Sequence, residues 1–127
     1  MKTIKQTVVF HATPKEMYEW IIDSKKHTKF TGSKATNSGK VGGTFTAWDG
    51  YIDGVNEKLV PGKEIVQTWH ASDWQDGVYS KVVFKFKKDK LGTKMEFTQT
   101  GVPEEHYEEI KQGWYDNYWD LLKAMLK

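Results

Sequence analysis

Four histidines, His11, His27, His70 and His106, offer the chain its first chance of acid–base or metal chemistry. No two have the His-x-x-x-His or Glu-x-x-His spacing that puts two ligands on one helix face, so no metal centre is expected. His70 follows Trp69 in a strand-like stretch and should point the opposite way, as a half-exposed strand residue rather than a general base. His106, at the start of a helix, reads as solvated. Cysteine is absent, which removes disulfides, thiolate nucleophiles and Cys-based metal sites. Ser24, Ser33, Ser38, Ser72 and Ser80 all lie outside any G-x-S-x-G elbow. Glu104, Glu105, Glu108 and Glu109 resemble paired catalytic carboxylates, but they open a helix, where the dipole favours acids whatever the function. Gly42-Gly43 lacks the strand–turn–helix setting of a phosphate loop and reads as the start of a strand.

Two patterns remain. Gln6, Gln67 and Gln99 fall on the same alternating faces as Val8 and Phe10, Ile65 and Trp69, and Met95 and Phe97. Amides sent into an apolar interior cost stability unless paired, so they suggest a polar-lined or water-containing cavity. The second pattern is the 18 aromatic residues, 14% of a chain of 127 whose apolar fraction is 38%. Trp20, Trp48, Tyr51, Trp69, Tyr79, Trp114, Tyr118 and Trp119 could line that cavity for a flat apolar ligand, or could simply fill a core. Phe10, Phe84, Phe86 and Phe97 suit the ordinary inner face of a sheet.

Charge narrows the partners. All 19 basic residues are lysine, against 17 acids, a net charge of +2. Without the planar fork of arginine, sequence-specific nucleic-acid recognition is not expected. The run Lys85-Phe86-Lys87-Lys88-Asp89-Lys90 alternates as a solvated strand face would, open to weak attraction toward an acidic partner. No run approaches the roughly 18 apolar residues of a membrane helix, and no signal-peptide core follows Met1. A cytoplasmic protein without membrane association is expected.

The elements that must hold these residues follow from periodicity. Residues 3–10 alternate as a half-buried strand. Thr13-Pro14-Lys15-Glu16 is a capping box with proline at the first helical position; it opens a short helix bearing Met17, Trp20 and Ile21, and Ser24 caps a second that ends at Thr31-Gly32. Residues 33–38 form a short strand. Strands are then expected at 44–48, 51–60, 64–70, 79–88 and 93–100, with Asp49-Gly50 as a hairpin turn and Gly54 as a bulge or close approach. Residues 104–127 form a long helix with two apolar stripes, Tyr107, Ile110, Trp114, Tyr118, Leu121 and Met125 beside Tyr115, Trp119, Leu122 and Leu126. Gly113 costs this helix about 1 kcal/mol relative to alanine, and close approach to a strand or ring is the expected reason. The order gives an α+β fold in one domain, 1–127: a curved antiparallel sheet of six or seven strands wrapped around the C-terminal helix, with two short helices after the first strand.

Four ordered motifs carry a family resemblance: Phe10-His11-Ala12-Thr13-Pro14-Lys15-Glu16-Met17-Tyr18, Gly42-Gly43-Thr44-Phe45, Leu59 through Trp69, and Gln112-Gly113-Trp114. With Phe30-Thr31 and Ser72-Asp73-Trp74, they resemble the C-terminal domain of the activator of heat-shock protein 90 ATPase, in the START-like, Bet v 1-like helix-grip superfamily. The resemblance implies a helix-grip fold and a link to the stress response. It implies an apolar or aromatic ligand in a cavity under the long helix, with Trp20, Trp48, Tyr51, Gln67, Trp69, Tyr79, Gln99, Trp114 and Tyr118 as candidate lining. The eukaryotic co-chaperone carries a separate N-terminal domain, which this chain, starting at the first strand, is expected to lack. The leading expectation is a non-catalytic binding protein without cofactor; the alternatives are a regulator touching a chaperone, and a cyclase- or hydrolase-type enzyme needing a titratable group in the cavity.

Overall fold

Strict alternation of apolar and polar residues makes the strands, and the computed structural model, which describes residues 1–126, arranges them as one antiparallel sheet. In chain order these are β1 (Lys2–Phe10), α1 (Pro14–Ile22), α2 (Ser24–Thr31), β2 (Thr36–Asn37), β3 (Thr44–Ala47), β4 (Ile52–Val60), β5 (Glu64–Ala71), β6 (Ser80–Asp89) and β7 (Gly92–Val102). The seven strands run in the order β1-β7-β6-β5-β4-β3-β2, so sequential hairpins build the meander and β1 closes it against β7. The helices after β1 start as the sequence expects. Thr13 Oγ1 accepts from the Glu16 N–H at 3.2 Å and Glu16 Oε1 accepts from the Thr13 N–H at 3.0 Å, the reciprocal capping box.

Gly54 marks a close approach. A Cβ there would lie 1.9 Å from the Thr68 carbonyl oxygen and 2.7 Å from the Phe45 ring. The bulge in this strand pair falls elsewhere, between Asn56 and Lys58. The Asp49-Gly50 turn is longer than a two-residue hairpin, because Ala47 pairs with Ile52 and leaves residues 48–51 in the loop. Trp48, Asp49 and Gly50 all take left-handed backbone, φ 53°, 56° and 88°. For a bulky residue such as Trp48 that conformation is strained.

The last helix is not continuous. A 3₁₀ turn (Glu104–His106) leads into α3 (Tyr107–Trp114), a π turn covers Tyr115–Trp119, and α4 runs Asp120–Met125. The wider π turn advances the buried stripe by one residue. Ile110 and Trp114 are buried before it, Tyr118 within it, and Trp119 and Leu122 complete the face, whereas Tyr115 and Met125 are exposed. The two stripes read from sequence are thus halves of one face joined at the π turn.

That face meets the inner side of the sheet through rings. Trp114 lies 4.4 Å from Phe97, 4.6 Å from Tyr118 and 5.4 Å from Trp119 between centroids, and Trp119 lies 5.3 Å from Phe97. The buried amides key the helix to the strands. Gln6 of β1 accepts from Trp119 Nε1 at 2.7 Å and donates to the Lys111 carbonyl at 2.9 Å. Gln99 of β7 accepts from Trp114 Nε1 at 2.7 Å and donates to Ser80 Oγ at 2.9 Å. Gln67 donates to Asn56 Oδ1 at 3.0 Å. The expectation that Gln6 and Gln99 line a wet cavity is corrected here: an indole, and a carbonyl or a hydroxyl, satisfy each amide.

Candidate functional site: an aromatic groove

A groove of about 440 Å³ lies between the β3–β4 turn and the C-terminal helix, open to solvent. The turn supplies Trp48 and Tyr51, the strands Ile52 and Trp69, and the helix Glu109, Ile110, Gly113, Trp114, Asn117 and Tyr118. Its volume is in the range of small-molecule sites. The strained turn explains one wall: left-handed backbone lifts Trp48 out of β3 and sets its ring 6.4 Å from Tyr118. Gly113 explains the opening. Its nearest neighbour for an added Cβ is Asn117 Nδ2 at 3.5 Å, an ordinary contact, so the close approach expected from sequence is absent and the missing side chain leaves groove space instead.

The candidate residues therefore divide. Trp48, Tyr51, Trp69, Trp114 and Tyr118 share the groove. Trp20 does not; it packs edge-on against Phe30 at 6.2 Å, beneath the Lys26 ammonium. Tyr79 is about half exposed and donates to Asp53 at 2.8 Å, its ring tilted against His70 at 5.0 Å. Gln99 and Gln67 are tied up in the core, Gln67 beside a water-sized void of about 10 Å³.

His70 is buried rather than half-exposed. The 72–79 loop covers it, and its Nδ1 donates to the Val78 carbonyl at 2.7 Å, so it neither reaches the groove nor acts there as a base. The titratable pair beside the groove is one that sequence spacing hid. His27 Nδ1 sits 3.0 Å from the Ile21 carbonyl and must donate to it, which leaves Nε2 to accept from the Tyr118 hydroxyl at 3.3 Å. Burial holds His27 below its ordinary value of 6.5, opposed by the Ile21 carbonyl, and burial pushes the Tyr118 phenol up. Both groups are neutral near pH 7.

The rim is acidic. Tyr51 donates to Asp73 Oδ1 at 2.7 Å, and ligand atoms of Asp73, His106 and Glu109 lie within 4.8 Å of one another. Burial, the Asp73 hydrogen bond and the charges of Asp73 and Glu109 together raise the Tyr51 phenol. His106 is partly covered by stacking on Trp74, 6.1 Å away, whose buried Nε1 has no hydrogen-bond partner. No spacing rule exposes this cluster, because a loop supplies one member and the helix start the other two.

A seven-stranded antiparallel sheet curved around a C-terminal helix defines a helix-grip domain. The family model described as "Activator of Hsp90 ATPase homolog 1-like protein" matches residues 11–127, and the chain belongs to that family. A Dictyostelium discoideum protein named activator of 90 kDa heat shock protein ATPase homolog is 38% identical over 123 residues, 96% of this chain and 32% of its own length. Human activator of 90 kDa heat shock protein ATPase homolog 1 is 30% identical over 121 residues, 95% of this chain and 35% of its own. The chain thus spans about a third of the length of these relatives. The crystal structure of an HSP90 activator from Plasmodium falciparum superimposes with a TM-score of 0.91 at 25% identity, covering 99% of this chain and 96% of that one. Among the described residues, no helix is long and apolar enough to cross a membrane.

Proposed function

We propose that this domain is a non-catalytic, cytoplasmic binding module of the Hsp90-ATPase-activator type whose aromatic groove holds a small apolar or aromatic ligand. The observation that carries the reading is the groove itself, about 440 Å³ walled by Trp48, Tyr51, Trp69, Trp114 and Tyr118. Against an enzymatic role, His70 is turned away and the His27–Tyr118 pair is neutral and mutually bonded. Titration with aromatic and acyl compounds of each charge type should quench tryptophan fluorescence saturably, and less so in Trp48→Ala. Absence of saturable binding across the whole series overturns the reading.

A second reading has its own support, the family and the names of its relatives. In it the domain contacts a chaperone of the Hsp90 class and alters its ATPase rate. Adding the domain to the cognate chaperone should raise ATP turnover; an unchanged rate together with no co-purification removes this reading.

A further inference from the structure

We propose that the ligand of the groove is a small molecule with a positive charge beside an apolar body, an aryl- or alkylammonium. This rests on the reading that the groove is a small-ligand site, and it adds the charge. The chain carries 19 lysines and a net charge of +2, yet among the described residues no lysine lines the groove and Glu109 is its one carboxylate wall.

Lysine ammoniums elsewhere pair with Glu19, Glu57, Glu64 and Glu96. Among the described residues neither Asp73 nor Glu109 has such a partner, although their oxygens and a His106 nitrogen lie within 4.8 Å of one another. Two like charges so close repel, and each gains from a cation placed between them. The Tyr51 hydroxyl donates to Asp73 at 2.7 Å and holds this second carboxylate at the rim, beside Glu109.

The walls favour the same charge. Trp48, Tyr51, Trp69 and Trp114 are rings with electron-rich faces, and tryptophan is the strongest cation–π partner among side chains. Ile52 and Ile110 supply apolar surface for the remainder of the ligand. A neutral ligand would cover Glu109 without compensating its lost water, and an anion would meet two carboxylates. An ammonium answers the rings and the acids at once.

The test is a ¹⁵N-resolved titration of the tryptophan indole signals with three naphthalene compounds of one size: (naphthylmethyl)trimethylammonium, its uncharged carbon isostere, and naphthylmethylsulfonate. The ammonium should bind at least about tenfold more tightly than the neutral compound, with the sulfonate weakest. Glu109→Gln should cut that ratio to about threefold or less, weakening binding of the ammonium and sparing the neutral compound the cost of covering a carboxylate. Equal or tighter binding of the neutral compound overturns the charge assignment and leaves the groove reading intact. Failure of all three to shift any indole overturns both. A parallel Zn²⁺ titration decides against a metal occupant: Zn²⁺ that binds at Asp73, His106 and Glu109 and excludes the ammonium overturns the proposal.

Discussion

Gly113 should be more useful to the groove than to the helix, and substitution can separate the two. It sits inside α3, where glycine costs about 1 kcal/mol relative to alanine. A Cβ at this position meets nothing closer than Asn117 Nδ2 at 3.5 Å, so Gly113→Ala carries no steric penalty. The methyl restricts the unfolded chain as well, and the expected gain is ~0.5–1 kcal/mol, or about 2–5 °C in melting temperature for a domain of this size. Gly113→Leu should hold stability near that of the parent while its side chain occupies the groove beside Ile110 and Trp114. Urea denaturation followed by circular dichroism gives the first quantity, and indole-detected titration with the tightest apolar ligand gives the second. Gly113→Ala should be the more stable, and the affinity of Gly113→Leu should fall at least about tenfold, since a filled pocket loses its occupant's burial. Loss of stability in Gly113→Ala would show that the helix needs the close approach after all. Undiminished binding by Gly113→Leu would put the ligand elsewhere.

Gln99→Leu should destabilise the domain by about 2 kcal/mol, because the buried Trp114 Nε1 loses its acceptor. A double-mutant cycle with Trp114→Phe should return a coupling of at least about 1 kcal/mol, and strict additivity would break the inferred link. Gly54→Ala should cost at least about 2 kcal/mol, since its Cβ would meet the Thr68 carbonyl oxygen, a backbone atom that cannot swing aside; a neutral substitution there contradicts the close approach. His27, held by burial below 6.5, makes the unfolded chain bind more protons than the folded one as pH drops from about 6.5 toward the folded value. Its contribution to stability is therefore flat above that window and falls with acid inside it. His27→Gln, which keeps a donor for the Ile21 carbonyl and an acceptor for Tyr118, should flatten this part of the stability–pH curve, and an unaltered slope removes His27 as its source.

Strands were legible because a period of two survives any curvature of the sheet. Val82, Phe84 and Phe86 face inward as their alternation requires. The capping box was legible because it is a local exchange between Thr13 and Glu16. The C-terminal helix defeated the same approach because a single π turn changes the period where the largest rings lie. A 3.6-residue pattern assigns Leu121 and Met125 to the stripe of Trp114, yet the extra residue gives that place to Trp119 and Leu122. Residue type identified the groove's aromatic walls but could not place every ring: Trp20 and Tyr79 share their chemistry and lie outside it. The Tyr118–His27 bond joins residues 91 positions apart, and the Asp73, His106 and Glu109 cluster joins a loop to a helix. Such pairs follow from the fold and have no local spacing to betray them.

The position of the groove follows from the indole–amide pairs. Each of the two central tryptophans of the helix brings one N–H donor into an apolar interior, and leaving it unbonded would cost about 1–3 kcal/mol. Gln6 and Gln99 supply acceptors from neighbouring strands, β1 and β7, so Trp119 and Trp114 are fixed against that part of the sheet. The helix is thereby anchored over β1, β7 and β6, where Phe97 and Phe84 complete the packing. On its other side the helix meets α2 through Tyr118 and faces β5, β4 and the strained turn after β3, and there Gly113 withholds a side chain. An open space on that flank is what remains when a helix is pinned along one edge. The amides that suggested a wet cavity in the sequence thus act through the helix: by pinning one edge of it, they leave the usable space at the wall formed by Trp48, Tyr51 and Trp69.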